Sequence, residues 1–198
     1  MEGAPVVFLS ASFPEPERGE AFPPNDPAAL ADAVTTLSRE ILRRGATLLS
    51  GGHPTITPLL QLVCAEGGFV DSLVVFQSER FRTRIPAETW RLSEEGWGRL
   101  EFTPEAGDRA LDLEVMRRAM LSAYPLAGAI FVGGMEGIVD EFGLVGELAP
   151  DAPRFALRAP GGAAATLEPT TSRADVDPDS RRYLVLARAI ADEIGLER

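Results

Sequence analysis

Glu141 and Arg117 are the side chains whose type and position best suit chemistry. Glu141 lies in GAIFVGGMEGIVDEFGLV (residues 128–145), where a short apolar run stops at Gly133-Gly134 and a segment with helical spacing follows. At about 100° per residue, Ile138, Val145 and Leu148 share one side of that helix and Phe142 adjoins them. Glu141 falls among them, and Asp140 points away. A carboxylate on an apolar face near a helix N-terminus is either a ligand-binding group or half of a buried ion pair. The arginine to expect opposite it is Arg117. Over residues 111–123, Leu113, Met116, Met120, Leu121 and Tyr124 form one broad face with Arg117 inside it. Arg118 points away, one turn after Glu114, where a surface ion pair suffices. Arg117 therefore either binds an anion or snorkels out between its neighbours.

Short turns rich in small residues follow the other apolar runs: Ser10-Ala11-Ser12, Gly51-Gly52-His53 and Gly161-Gly162. A glycine turn that opens a helix offers backbone N–H groups and the positive end of the helix dipole, which suits phosphate. The plain alternative is that glycine makes a tight turn. Turns of this kind converging on one sheet edge favour a nucleotide-like ligand, although the spacing is not GxGxxG. The candidate ligand-binding set is Ser10, Ser12, Gly51, Gly52, His53, Thr55, Gly133, Gly134, Glu136 and Gly137, together with Arg117 and Glu141. His53 is the single histidine, either a polar surface residue or a ligand contact. With no second histidine and no cysteine cluster, no metal site is expected, and no cofactor. Cys64 follows Leu59, Leu60, Leu62 and Val63 and reads as a core thiol. No Ser-His-Asp arrangement and no GxSxG elbow is present. Trp90 and Trp97 either stack on a base or cap the core.

The elements that must position these groups alternate. Strands are expected at residues 6–10, 46–50, 73–77, 129–132 and 154–158. Helices are expected from Asp26-Pro27 to about Gly45, then at 58–66, 111–123, after Gly137 and at 183–194. Residues 80–108 read as irregular. The segment at 80–110 is expected to be an insertion or lid, and its Arg80, Arg82 and Arg84 either add positive charge to the site or form a solvated basic loop. Strands alternating with helices imply an α/β, Rossmann-like parallel sheet with helices on both faces, whose ligands bind at the carboxyl ends of the strands.

The 198 residues suffice for one domain with a proper core, so the whole chain reads as a single domain. A net charge of −11 repels phosphate backbones, so nucleic-acid binding is not expected, though a local pocket for one small anion is compatible with it. One cysteine permits no intrachain disulfide, which suits a cytoplasmic location. The first apolar run, at 5–13, lacks a basic leader and is too short to span a membrane.

Four segments carry a resemblance: VVFLSAS (6–12), RGATLLSGGHPTITPLL (44–60), MRRAML (116–121) and VGGMEGIVDE (132–141). They resemble the ordered landmarks of the LOG/Smf/DprA group, called SLOG. In LOG enzymes the last landmark reads PGGxGTxxE, and an arginine on the preceding helix works with its glutamate. Those enzymes are phosphoribohydrolases that release the base from a nucleoside monophosphate. The resemblance implies that Gly133, Gly134 and Gly137 match the glycines, Glu141 the catalytic glutamate and Arg117 the arginine. It likewise implies that Gly51 and Gly52 stand on the phosphate side. This chain departs by having Val132 for the proline, one extra residue at Met135-Glu136, and Ile138 for the threonine whose hydroxyl helps hold phosphate. Glu136 also adds a negative charge. The altered turn fits better the SLOG sensor domains found in bacterial conflict and defence systems, which bind nucleotide-derived signals. The expectation is therefore binding of an ADP-ribose-like or cyclic-nucleotide-like molecule. The alternatives are a LOG-like N-glycosidase and a scaffold with a decayed pocket. The resemblance also implies a homodimer or higher homo-oligomer.

Overall fold

The computed structural model describes residues 3–15, 20–171 and 173–197. Among these residues six strands form one sheet: β1 (Val6–Ser12), β2 (Thr47–Ser50), β3 (Leu73–Ser78), β4 (Gly98–Thr103), β5 (Leu126–Gly133) and β6 (Arg154–Leu157). Every neighbouring pair is parallel, in the order β4-β3-β2-β1-β5-β6. The helices are α1 (Pro27–Arg43), α2 (Thr57–Gly67), α3 (Ala87–Glu94), α4 (Arg109–Ser122), α5 (Glu136–Leu148) and α6 (Tyr183–Glu193). This is the expected α/β, Rossmann-like architecture. From β1 the chain runs outward through β2, β3 and β4 and then returns to the far side of β1 as β5. That reversal opens a crevice at the carboxyl ends of β1 and β5, where folds of this kind place their ligands.

The two-residue period of a strand decides what faces the crevice. Val7, Leu9 and Ala11 of β1 join the apolar layer that includes α1, α2 and α6. Val6 and Phe8 join the opposite layer with Met116 and Met120 of α4 and Ile138 and Val145 of α5. Ser10 and Ser12 continue this second face at the strand's carboxyl end.

Local signals fix the helix ends. Asp26 accepts a hydrogen bond from Ala29 N–H at 3.1 Å and Pro27 opens α1, as a capped start requires. Asp108 accepts from Leu111 N–H at 2.9 Å and starts α4. Gly68 ends α2 at a φ of 64°, a left-handed conformation that glycine adopts without strain.

Residues 80–110 are not irregular. A 3-10 turn (Glu79–Arg84), α3 and the edge strand β4 occupy the stretch. The edge position explains the misreading, because the half-exposed GRLEFT of β4 carries charge where an inner strand carries only apolar residues. Arg80 is not a solvated cation. Its guanidinium bonds to fully buried Asp112 of α4, which also accepts from Ala106 and Gly107 N–H. Arg82 lies 3.9 Å over the Phe102 ring, on which Trp90 also stacks. Trp97 packs against the core, so both tryptophans serve the fold.

At the other end of the sheet, Arg44 is buried and donates to Glu40 at 2.9 Å, to Asp192 at 2.5 Å and to the Leu196 carbonyl at 3.1 Å. This cluster pins α6 onto α1. Removing one member of a buried pair strands the other, at about 3–5 kcal/mol. Arg43 still reaches Glu40 at 2.8 Å, which puts the expected cost at the low end. Arg44→Ala should lower unfolding free energy by about 3 kcal/mol in urea titration. A loss below about 1 kcal/mol would show that the cluster does not hold α6.

Candidate functional site

A cleft of about 980 Å³ opens at the carboxyl ends of β1 and β2 and runs between α4 and α5. The strand ends supply Ser10, Ser12, Ser50 and Gly51. The loop after β2 supplies His53, α4 supplies Arg109, Leu113, Met116 and Arg117, and α5 with its preceding residue supplies Met135 to Glu141.

Glu141 sits at the centre. Ser10 donates its hydroxyl to one carboxylate oxygen, and Arg117 Nε donates to the other at 3.2 Å. The two charged side chains are only 15% and 14% exposed. Burial pushes the Glu141 carboxyl above its ordinary range, opposed by the Arg117 charge and by the hydrogen bonds from Ser10 and Arg117. Arg117 and Glu141 thus meet directly, and the Ser10 hydroxyl that the β1 alternation turns towards α5 holds the other carboxylate oxygen. Asp140 points away from the apolar face, as expected. It is 59% exposed, yet Arg117 Nη1 reaches it at 3.0 Å. A long guanidinium covers the flank of α5 as well as its inner face, a reach that face analysis at one residue per 100° does not capture.

Gly137 is small for a visible reason: a Cβ there would lie 2.7 Å from Arg117 Nη2. Arg117 lies across the first turn of α5. Gly51 floors the cleft, and a Cβ added to it would stand at ordinary contact distance from Met116 and Glu141. The Gln77 side chain holds this turn by donating to the Gly52 carbonyl at 2.7 Å. Sequence reading did not single out Gln77, and no local motif marks it.

Gly52, Thr55, Gly133 and Gly134 are not among the lining residues. The Gly134 N–H donates to the Ser12 carbonyl at 2.8 Å, and the Gly134 carbonyl accepts from Ala163 N–H at 2.9 Å. A Cβ on Gly134 would meet Ile138, one on Gly133 would meet Leu30, and one on Gly162 would meet Gly133 itself. These glycines serve close packing of β1, α1, α5 and the Gly161-Gly162 turn. The N–H of Gly134 is thus engaged within the fold. Ile138, buried at 4%, fills the space beside that turn.

His53 turns Nδ1 towards its own loop, accepting from Thr55 N–H at 3.3 Å with the Thr55 hydroxyl at 2.8 Å. That assignment leaves Nε2 as the donor. Burial pushes the ring's pKa below its ordinary value, with Glu15 acting in the opposite sense. The His53 carbonyl accepts from Ile56 and Thr57 N–H, both at 3.0 Å, and so starts α2. Cys64 is buried, as a core thiol should be. No cluster of metal-ligating side chains occurs among the described residues. No helix among them is long and apolar enough to cross a membrane.

The raised Glu141 pKa has a consequence for stability. The folded state favours the protonated carboxyl more than the unfolded chain does, so this contribution is present at low pH and is lost as pH rises through the folded pKa. Glu141→Gln keeps an acceptor for Ser10 and removes the desolvated charge. Its stability relative to the natural protein should therefore rise between pH 4.5 and pH 8, read as urea midpoints at each pH. A variant that loses ground over that interval would show that the ionised carboxylate is stabilised by its site.

No curated protein matches the chain by sequence. The SLOG cluster3 family matches residues 22–190, a span that runs from before α1 into α6 and takes in Gly51, Arg117 and Glu141. With a parallel sheet reversed at β1 and β5 and a carboxylate–guanidinium pair at that reversal, the chain belongs to the SLOG cluster3 family.

Proposed function

We propose that the cleft binds a nucleotide-derived small molecule, with Glu141 accepting hydrogen bonds from its ribose hydroxyls. The observation that carries this reading is the Ser10–Glu141–Arg117 arrangement at the strand-order reversal. A carboxylate kept out of water costs stability and is retained where it meets a ligand. The family membership supports a nucleotide-related ligand in the same place. On the finer level the ligand is a signal of the ADP-ribose or cyclic-nucleotide type, bound intact. Gly51 leaves room for it, while His53 Nε2 and Arg109 offer donors near the rim.

A second reading is favoured by one observation, the raised pKa of Glu141. A carboxyl poised above its ordinary range suits proton transfer or stabilisation of charge developing on a ribose, as N-glycosidic cleavage requires. Against it stands Ile138, which offers no hydroxyl to a phosphate. Buried, free Cys64 fits a reducing, cytoplasmic compartment. The proposal also includes a homodimer, for which exposed Leu111 and Val139 on the helices flanking the cleft offer apolar surface.

Chromatography after incubation with nucleoside monophosphates and ADP-ribose derivatives separates the two readings. Binding that shifts the melting temperature without release of free base, and that Glu141→Ala abolishes, is the expected outcome. Base release that disappears in Glu141→Ala would make the protein an N-glycosidase. A further substitution tests the floor of the cleft. Gly51→Ala should melt within about 2 °C of the natural protein and yet weaken binding about tenfold or more, because its methyl group enters the space beside Glu141. Unchanged affinity would place the ligand elsewhere.

A further inference from the structure

The chain treats the two edges of its sheet differently. At β6, Arg154 N–H donates to the Thr170 hydroxyl at 2.9 Å and the Arg154 carbonyl accepts from Thr170 N–H at 2.8 Å. Just past the strand, Arg158 N–H donates to the Pro178 carbonyl at 2.8 Å. The chain's own loop thus closes that edge. At β4 the outer side has no neighbouring strand among the described residues. The Trp97 carbonyl accepts from Leu73 N–H at 3.1 Å, and Leu73 lies opposite Gly98. In a parallel ladder of this register Arg99 and Glu101 turn their backbone groups to β3, while Gly98, Leu100 and Phe102 turn theirs outward. No partner among the described residues takes up these outward groups.

Charge on an open edge strand ordinarily deters pairing. Here the two signs are spaced so that they attract a copy of themselves. Arg99 and Glu101 stand two residues apart on one side of β4, 3.0 Å from each other, with side chains 50% and 41% exposed. Two such strands laid antiparallel about Leu100 set Arg99 of each copy opposite Glu101 of the other, at positions where facing side chains come closest. Gly98 then exchanges backbone hydrogen bonds with Phe102 of the partner subunit, and Leu100 with its own counterpart, so the outward groups are all satisfied. A shift of two residues sets Arg99 against Arg99 or Glu101 against Glu101. The charges therefore favour one register and oppose its neighbours. We infer that β4 is an interface with a second copy of this chain, in which two β4 edges pair antiparallel about a two-fold axis at Leu100 and Arg99 and Glu101 set the register. The inference goes beyond the proposed function and does not depend on what the cleft binds. The interface is additional to the apolar surface at Leu111 and Val139.

The test is native mass spectrometry with sedimentation velocity over a concentration series of the full chain. Arg99→Glu leaves two acids on that side of β4 and Glu101→Arg leaves two bases, so each variant alone sets like charge against like charge. Each should self-associate about tenfold or more weakly than the natural protein. Mixed in equal amounts, the two variants restore both opposite-charge pairs, and complexes containing both should exceed those containing one. The double variant Arg99→Glu/Glu101→Arg should self-associate like the natural protein. It separates loss of pairing from loss of the 2.7 Å hydrogen bond that Arg99 donates to the Tyr124 hydroxyl. Association through other surfaces is common to all the variants and cancels from the comparison. A natural chain that stays monomeric throughout the series would overturn the inference. So would single variants that associate as tightly as the natural protein, a mixture with no preference for joint complexes, or a double variant no stronger than the single ones.

Discussion

The carboxylate of Glu141 is held where its charge is poorly solvated, and much of the surrounding structure answers to that constraint. Burial raises its pKa, while Ser10 and Arg117 act against the rise. Neither partner is placed by chance. Ser10 faces Glu141 because β1 alternates, with Val7 and Leu9 in one apolar layer and Val6 and Phe8 in the other. Arg117 faces it because α4 is anchored at its first turn. Asp108 caps its start, and buried Asp112 ties it to Arg80 and to the loop behind β4. The segment that looked like a loose lid is thus part of what fixes the guanidinium. Of residues 80–110, the cleft lining includes Arg109 and Ala110 alone, both at the start of α4.

The glycines serve the same constraint from behind. For Ser10 and Glu141 to meet, α5 must leave β5 and fold back close to the end of β1. Gly133 and Gly134, at φ of 67° and 74°, make the turn in a conformation that other residues rarely adopt. Leu30, Ile138 and Gly162 then pack against them with no space for a side chain. The hydrogen bond from Gly134 N–H to Ser12 locks the turn to β1. The N–H of Gly134 is thereby spent on the fold.

Much of this was legible in the sequence, and the limits have physical causes. The alternation of apolar runs with helical spacing gave the parallel sheet, because inner strands are buried on both faces. It failed for β4, an edge strand whose exposed side carries Arg99 and Glu101 in contact with each other. Apolar-face analysis chose Arg117 and Glu141 because a charge inside such a face demands a partner. It did not reach Asp140, since a long side chain reads the flank of the opposing helix as well as its centre. Gln77, which holds the Gly51-Gly52 turn, and Asp112, which holds α4, lie far in sequence from the groups they serve. Only the strand order reveals them. The glycine turns were visible as turns, but their use was decided by tertiary packing.

The central claim is that Glu141 is a desolvated carboxyl restrained by Ser10 and Arg117. Its most direct test is titration of the Glu141 side-chain carboxyl by carbon-13 NMR in the ligand-free protein. A midpoint above the ordinary glutamate value of about 4.3, rising further in Arg117→Ala, is the predicted result. A midpoint at or below that value would show a carboxylate stabilised in its charged form by its surroundings, a plain structural ion pair, and would contradict the account.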